Sequence, residues 1–99
     1  MSAAVRIYTT RWCPYCIAAR ALFDALGVAY EDIDVGTDPA LRAVMERRAR
    51  RDTVPQIWIG ERHVGGFDDM DDLHRRGLLL PLLDAESGGA RAGNGTNDN

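Results

Sequence analysis

Apolar positions fall into short runs at two spacings, and their alternation sets out the elements. Val5-Arg6-Ile7-Tyr8 reads as a buried strand, and Pro14 to Leu26 as a helix with Ala18, Leu22, Ala25 and Leu26 on one face. Pro14 suits a first helical turn, and Gly27 suits a left-handed C-terminal cap with Val28 packing back behind it. Val28-Ala29-Tyr30 and Ile33-Asp34-Val35 suggest a second strand. Asp38-Pro39 then opens a helical spacing through Leu41, Val44, Met45, Arg48 and Ala49. Thr53-Val54-Pro55 interrupts before a third strand, Gln56-Ile57-Trp58-Ile59, and Gly60-Glu61 turns the chain into a hairpin partner, Arg62-His63-Val64. Gly65-Gly66 ends that strand. Asp68 or Asp69 caps a short helix containing Met70, Leu73 and His74, which stops near Gly77.

The order is β-α-β-α-β-β-α, an α/β chain whose economical solution is a four-stranded mixed sheet with three helices covering both faces. The first two strands, joined by a helical crossover, are expected to run parallel, and the last two to form an antiparallel hairpin. Residues 1–83 make one domain. From Asp84 to Asn99 the composition turns to Gly, Ala, Asn, Ser and Asp, and a disordered tail is expected.

Composition narrows the class of function. Ninety-nine residues suffice for one core without metals or several disulfides. The formal charge of −3 argues against nucleic acid as a partner, and all 12 basic residues are arginine. Arg47, Arg48, Arg50 and Arg51 cluster, and read as a solvated helix end favourable to the dipole, with recruitment of acidic partners as the alternative. No secretory signal follows Met1, and the longest apolar run, Leu78 to Leu83, contains Pro81 and is too short to span a bilayer. A cytoplasmic, reducing compartment is expected, in which a Cys-x-x-Cys pair is catalytic or metal-binding rather than structural.

That pair is Cys13-Pro14-Tyr15-Cys16, with Cys13 where the first helix begins. Two cysteines three apart can close and reopen a small disulfide ring. Free N–H groups and the positive dipole end at a helix start stabilise an anion, and a thiolate is such an anion. Zinc is disfavoured because one Cys-x-x-Cys supplies half a tetrahedral site and His63 and His74 lack close ligand spacing. Haem attachment needs a histidine after the second cysteine, where Ile17 stands. No metal site is expected.

Cys13-Pro14-Tyr15-Cys16, Thr53-Val54-Pro55 and Gly65-Gly66-Phe67-Asp68-Asp69 together resemble a dithiol glutaredoxin of the thioredoxin fold, over roughly residues 4 to 83. The resemblance implies a glutathione-dependent thiol–disulfide oxidoreductase acting on protein disulfides and glutathione mixed disulfides, with Cys13 as nucleophile and Cys16 as resolving thiol. It implies no permanently bound cofactor, glutathione as co-substrate, disulfide-containing or glutathionylated proteins as partners, and a monomer. Tyr15 is implied as an aromatic wall of the glutathione site. Pro55 is implied to be cis, presenting the Val54 backbone to the cysteinyl unit of glutathione, with Thr53 at the same lip. Gly66, Phe67 and Asp68 are implied to receive the γ-glutamyl carboxylate, with Asp69 facing the ammonium.

For the glycyl carboxylate, relatives commonly carry lysine where this chain has Thr10, so Arg11 is the substitute and Arg42 the better candidate. A solvated surface charge is the alternative for each. Trp12 replaces a common threonine, as an apolar platform for partners or a shield for the disulfide. Arg50 replaces a common glycine, so the turn before Thr53 is expected to differ locally. Two other functions stay open: a carrier bridging a [2Fe–2S] cluster between protomers through Cys13 and glutathione, disfavoured by Pro14, and a thioredoxin-like reductase using another electron donor.

Overall fold

The computed structural model describes residues 4–90, with side chains through residue 85. Its elements are β1 (Val5–Thr9), α1 (Pro14–Ala25), β2 (Glu31–Asp34), α2 (Pro39–Ala49), β3 (Gln56–Ile59), β4 (Arg62–Gly65), α3 (Phe67–Arg75) and α4 (Leu79–Ala90). The sheet order is β2-β1-β3-β4. β1 runs parallel to β2 and antiparallel to β3, and β3 and β4 form the expected hairpin.

Alternation along the strands sends side chains to two cores. Val5, Ile7, Ile57 and Ile59 face α1, α3 and α4, where they meet Phe23, Met70, Leu79 and Leu83. Tyr8 and Trp58 face the other way and pack with Met45 and Ala49 of α2. Both ends of α1 follow from local chemistry. Gly27 adopts φ +70°, its N–H bonding the Asp24 carbonyl while the Val28 N–H bonds that of Phe23, so the last turn is closed in the expected way. Val28 is thereby spent on the cap, and β2 begins only at Glu31, later than expected.

Three further expectations are corrected. The buried stripe of α1 runs through Cys16, Ala19 and Phe23 rather than through Ala18 and Ala25, because the bulk of Phe23 sets the phase, and this rotation carries Cys16 inward. A fourth helix, α4, joins the three expected. Its first intrahelical bond runs from Leu82 N–H to the Leu78 carbonyl, so Pro81 sits in the first turn where an N–H has no intrahelical acceptor. Leu79 and Leu83, four apart, bury the helix against the sheet. Once started, α4 propagates across the composition change at Asp84 as far as Ala90, where a disordered tail was expected. The rest of that stretch, 91–99, lies outside the described residues.

The arginine cluster also divides. α2 ends at Ala49, and Arg50 takes a left-handed conformation (φ 57°, ψ 32°) that costs a non-glycine residue about 1 kcal/mol. The chain reverses there. Arg48 lies over the Trp58 ring at 5.1 Å, while Arg51 is turned toward α3.

Candidate active site

Cys13 is the N-cap of α1. Its backbone is extended (φ −79°, ψ 117°), and its Sγ accepts the Cys16 N–H at 3.3 Å. This is one of the orphan donors of the first turn, spent on sulfur instead of a hydroxyl or carboxylate. On its other side the Cys13 thiol donates to the Val54 carbonyl at 3.6 Å. Val54 and Pro55 are joined by a cis peptide bond, as the resemblance implies. Cys13 is half-buried and Cys16 has no exposed surface; both are free thiols.

Burial pushes the Cys16 thiol up to about 12, with the neighbouring Cys13 adding to it and a backbone contact from Thr10 opposing it. Cys16 therefore keeps its proton across the neutral range. Iodoacetamide at pH 7 is expected to add one group to the native protein, at Cys13, and a second only after denaturation. Peptide mass mapping reads this directly, and a second adduct on native protein would contradict the burial argument.

Beside the sulfur lies a cavity of about 280 Å3. α1 contributes Tyr15 to its wall, the segment before β3 contributes Arg51, Thr53, Val54 and Pro55, and the start of α3 contributes Gly66, Phe67, Asp68 and Asp69. Tyr15 and Phe67 both line it, with ring centroids 6.4 Å apart. The N-cap of α3 is Gly66, ahead of both aspartates that the sequence offered as caps. Asp68 and Asp69 thus occupy the second and third helical positions, and Asp69 reaches back to accept the Gly66 N–H at 2.9 Å. The N–H groups of Phe67, Asp68 and Asp69 precede the first intrahelical bond, Met70 to Gly66, so the helix offers donors to an anion at the cavity edge.

Asp69 also accepts from Arg51 Nη1 at 2.8 Å. That bond holds its carboxyl below the ordinary carboxylate value, helped by the Gly66 N–H and opposed by burial. Arg51 was absent from the residues anticipated from sequence. Its signal was its place two residues before Thr53, hidden among neighbouring arginines that read as solvent-facing.

Arg11 and Arg42 are not brought to this cavity. They line a second one of about 610 Å3 with Thr10, Trp12, Asp34, Gly36 and Thr37. Trp12 is 82 % exposed, with the Arg11 guanidinium 5.9 Å from its ring centroid. Arg42 is engaged already, donating from Nε to Glu46 at 3.1 Å and from Nη2 to the Asp52 carbonyl at 2.7 Å. Among the described residues no three His, Cys, Asp or Glu side chains group as metal ligands, and no helix is long and apolar enough to cross a membrane.

Comparison with known proteins gives one answer. Residues 5–64 match the family model described as Glutaredoxin. A glutaredoxin of Pseudomonas aeruginosa is 54% identical over 81 residues, covering 82% of this chain and 96% of that protein. Glutaredoxin 3 of Escherichia coli K12 is 46% identical over 81 residues, covering 82% and 98%. Among solved structures, a buckwheat glutaredoxin–glutathione complex superposes with a TM-score of 0.79 at 31% identity, covering 86% of this chain and 80% of that one. The solution structure of a Brucella melitensis glutaredoxin gives 0.75 at 46% identity, covering 83% and 89%.

Proposed function

This chain belongs to the glutaredoxin family of thiol–disulfide oxidoreductases, on the thioredoxin fold, and from that premise we propose that it uses glutathione to reduce glutathione mixed disulfides and protein disulfides in the cytoplasm. The observation that carries the reading is the position of Cys13 Sγ. It sits between the Cys16 N–H and the Val54 carbonyl, beside a cavity that pairs extended backbone with a helix N-terminus and a carboxylate.

Glutathione carries two carboxylates and an ammonium, and the cavity offers complements. Its cysteinyl unit pairs with the Val54 backbone as a short strand, which holds the incoming sulfur in line with Cys13. The γ-glutamyl carboxylate meets the free N–H groups at Phe67 and Asp68, and the ammonium meets Asp69. The glycyl carboxylate is assigned to Arg42 and Arg11, which line the second cavity. Tyr15, Thr53, Pro55 and Gly66 shape the walls.

In the reaction, the Cys13 thiolate attacks the glutathione sulfur of a glutathionylated protein. A Cys13–glutathione disulfide forms, and the protein sulfur leaves as a thiolate that takes up a proton. The thiolate of a second glutathione attacks the bound glutathione sulfur, releasing oxidised glutathione and regenerating Cys13. With a protein disulfide, Cys13 forms a mixed disulfide to the substrate, and Cys16 gives up its proton and attacks the Cys13 sulfur. The reduced substrate leaves, and two glutathiones reopen the Cys13–Cys16 disulfide.

The test is NADPH consumption with a glutathionylated peptide, glutathione and glutathione reductase. Saturable turnover at neutral pH is expected. An enzyme inert with glutathione but turning over with a different low-molecular-weight thiol, or with a flavoprotein donor, would overturn the glutathione assignment.

A further inference from the structure

Among the described residues Gln56 is the largest polar side chain with no exposed surface, and both polar atoms of its amide are accounted for. Its Nε2 lies 3.1 Å from the Thr53 carbonyl and 3.2 Å from Thr53 Oγ1, and its Oε1 lies 2.7 Å from His63 Nε2. A carbonyl only accepts, so the amide nitrogen must face Thr53 and the amide oxygen must face His63. His63 Nε2 is then the donor, which fixes the ring as the Nε2–H form. Burial, reinforced by Arg51, lowers the His63 pKa and favours that neutral ring.

His63 reaches Gln56 through an irregularity in the sheet. Ile57 pairs with Gly65, but Trp58 pairs with His63, so Val64 is the extra residue of a β-bulge. An unbroken register would set Val64 opposite Trp58 and turn His63 to the other face. The bulge instead stacks His63 on Trp58 at 4.5 Å, on the face that Gln56 also occupies. The chain of contacts runs His63 to Gln56, Gln56 to Thr53, and on through Val54, whose carbonyl meets Cys13 Sγ.

We propose that His63 is a positioning residue: through Gln56 it holds the Thr53–Val54 backbone at the lip of the substrate cavity. The proposal rests on the glutathione reading for its effect on substrate, and on geometry alone for its effect on the lip. His63 is not among the residues that line the cavity, and its side-chain hydrogen bond goes to Gln56 rather than to either sulfur. It acts by keeping the buried amide aimed at the Thr53 carbonyl; without a donor at Nε2 that amide has an unsatisfied oxygen and is free to turn.

His63→Phe keeps a ring on Trp58 and deletes the donor, whereas His63→Gln places an amide N–H where Nε2 was. His63→Phe is expected to raise the KM for a glutathionylated peptide about fivefold, the value of one hydrogen bond, with kcat within about twofold. Alkylation of Cys13 should keep its rate, and amide hydrogen exchange across residues 53–56 should quicken relative to β1. His63→Gln should return KM and exchange toward the wild type. A lowered melting temperature with unchanged KM and exchange would reduce His63 to a structural role and overturn the proposal, as would a His63→Gln variant as impaired as His63→Phe. If the wild type fails to use glutathione at all, exchange still decides. Faster exchange in His63→Phe sustains the positioning role, and unchanged exchange overturns it.

Discussion

Cys13→Ser is expected to abolish turnover of a glutathionylated peptide, by at least about a thousandfold, while Cys16→Ser keeps most of it. The two sulfurs stand in different surroundings for a reason visible in α1. Cys13 precedes the helix, half-exposed, with a backbone N–H aimed at its sulfur. Cys16 lies on the buried stripe that continues through Ala19 and Phe23, and burial pushes its thiol up to about 12. Only the first is placed to meet an external disulfide. A hydroxyl in its place is a far weaker nucleophile at neutral pH. With a protein disulfide as substrate the outcome for Cys16→Ser differs, because the mixed disulfide then lacks its internal resolving thiol. Coupled NADPH consumption with both substrates separates the routes. Loss of peptide turnover in both variants would show an obligatory dithiol cycle instead.

The second large effect is expected at Gly65. Its φ of +118° is one that L side chains rarely adopt, and a Cβ built there would run into the Asp69 carboxylate, 2.8 Å from Cγ, and lie 3.0 Å from Arg51 Nη1. Gly65→Ala must therefore strain the backbone and displace the carboxylate that caps Gly66 and pairs with Arg51. A loss of at least about 2 kcal/mol is expected, or roughly 10 °C in melting temperature for a domain of this size. The KM for the glutathionylated peptide should rise at least about tenfold, since Asp69 and the start of α3 shift together. Gly66→Ala is the control. Its φ is −92°, and a Cβ there meets the Pro55 carbonyl oxygen at 3.5 Å, an ordinary contact. Thermal melts of the two variants should differ clearly. Equal melting temperatures would show that the Arg51–Asp69 clamp is not what Gly65 accommodates.

Much of this was legible from one sequence because it is written in short-range chemistry. The Gly27 cap depends on residues 23 to 28, and the N-cap position of Cys13 on residues 13 to 16. The third strand, Gln56 to Ile59, was legible from its own run and the turn signal that follows it at Gly60-Glu61. Errors came where a local signal competes with packing. The small residues beyond Asp84 argued for a disordered tail, but Pro81 in the first turn costs α4 no hydrogen bond, and two buried leucines hold that helix to the sheet. The stripe of α1 was misphased for a similar reason, since alanines mark a helix face weakly and Phe23 marks it strongly.

The sequence by itself determined the element order as far as α3, the place of the dithiol at the start of α1 and the segments that form the cavity wall, because these depend on residues within about one helical turn or on a period along a strand. Tertiary structure alone decided which charges meet. Arg51 finds Asp69 18 residues away because Arg50 turns left-handed, and Arg42 is drawn to Glu46 and the Asp52 carbonyl. A single extra residue in β4 puts His63 against Gln56. Such pairings are set by a chain reversal or a shift of register, and neither leaves a periodic trace in the order of the residues.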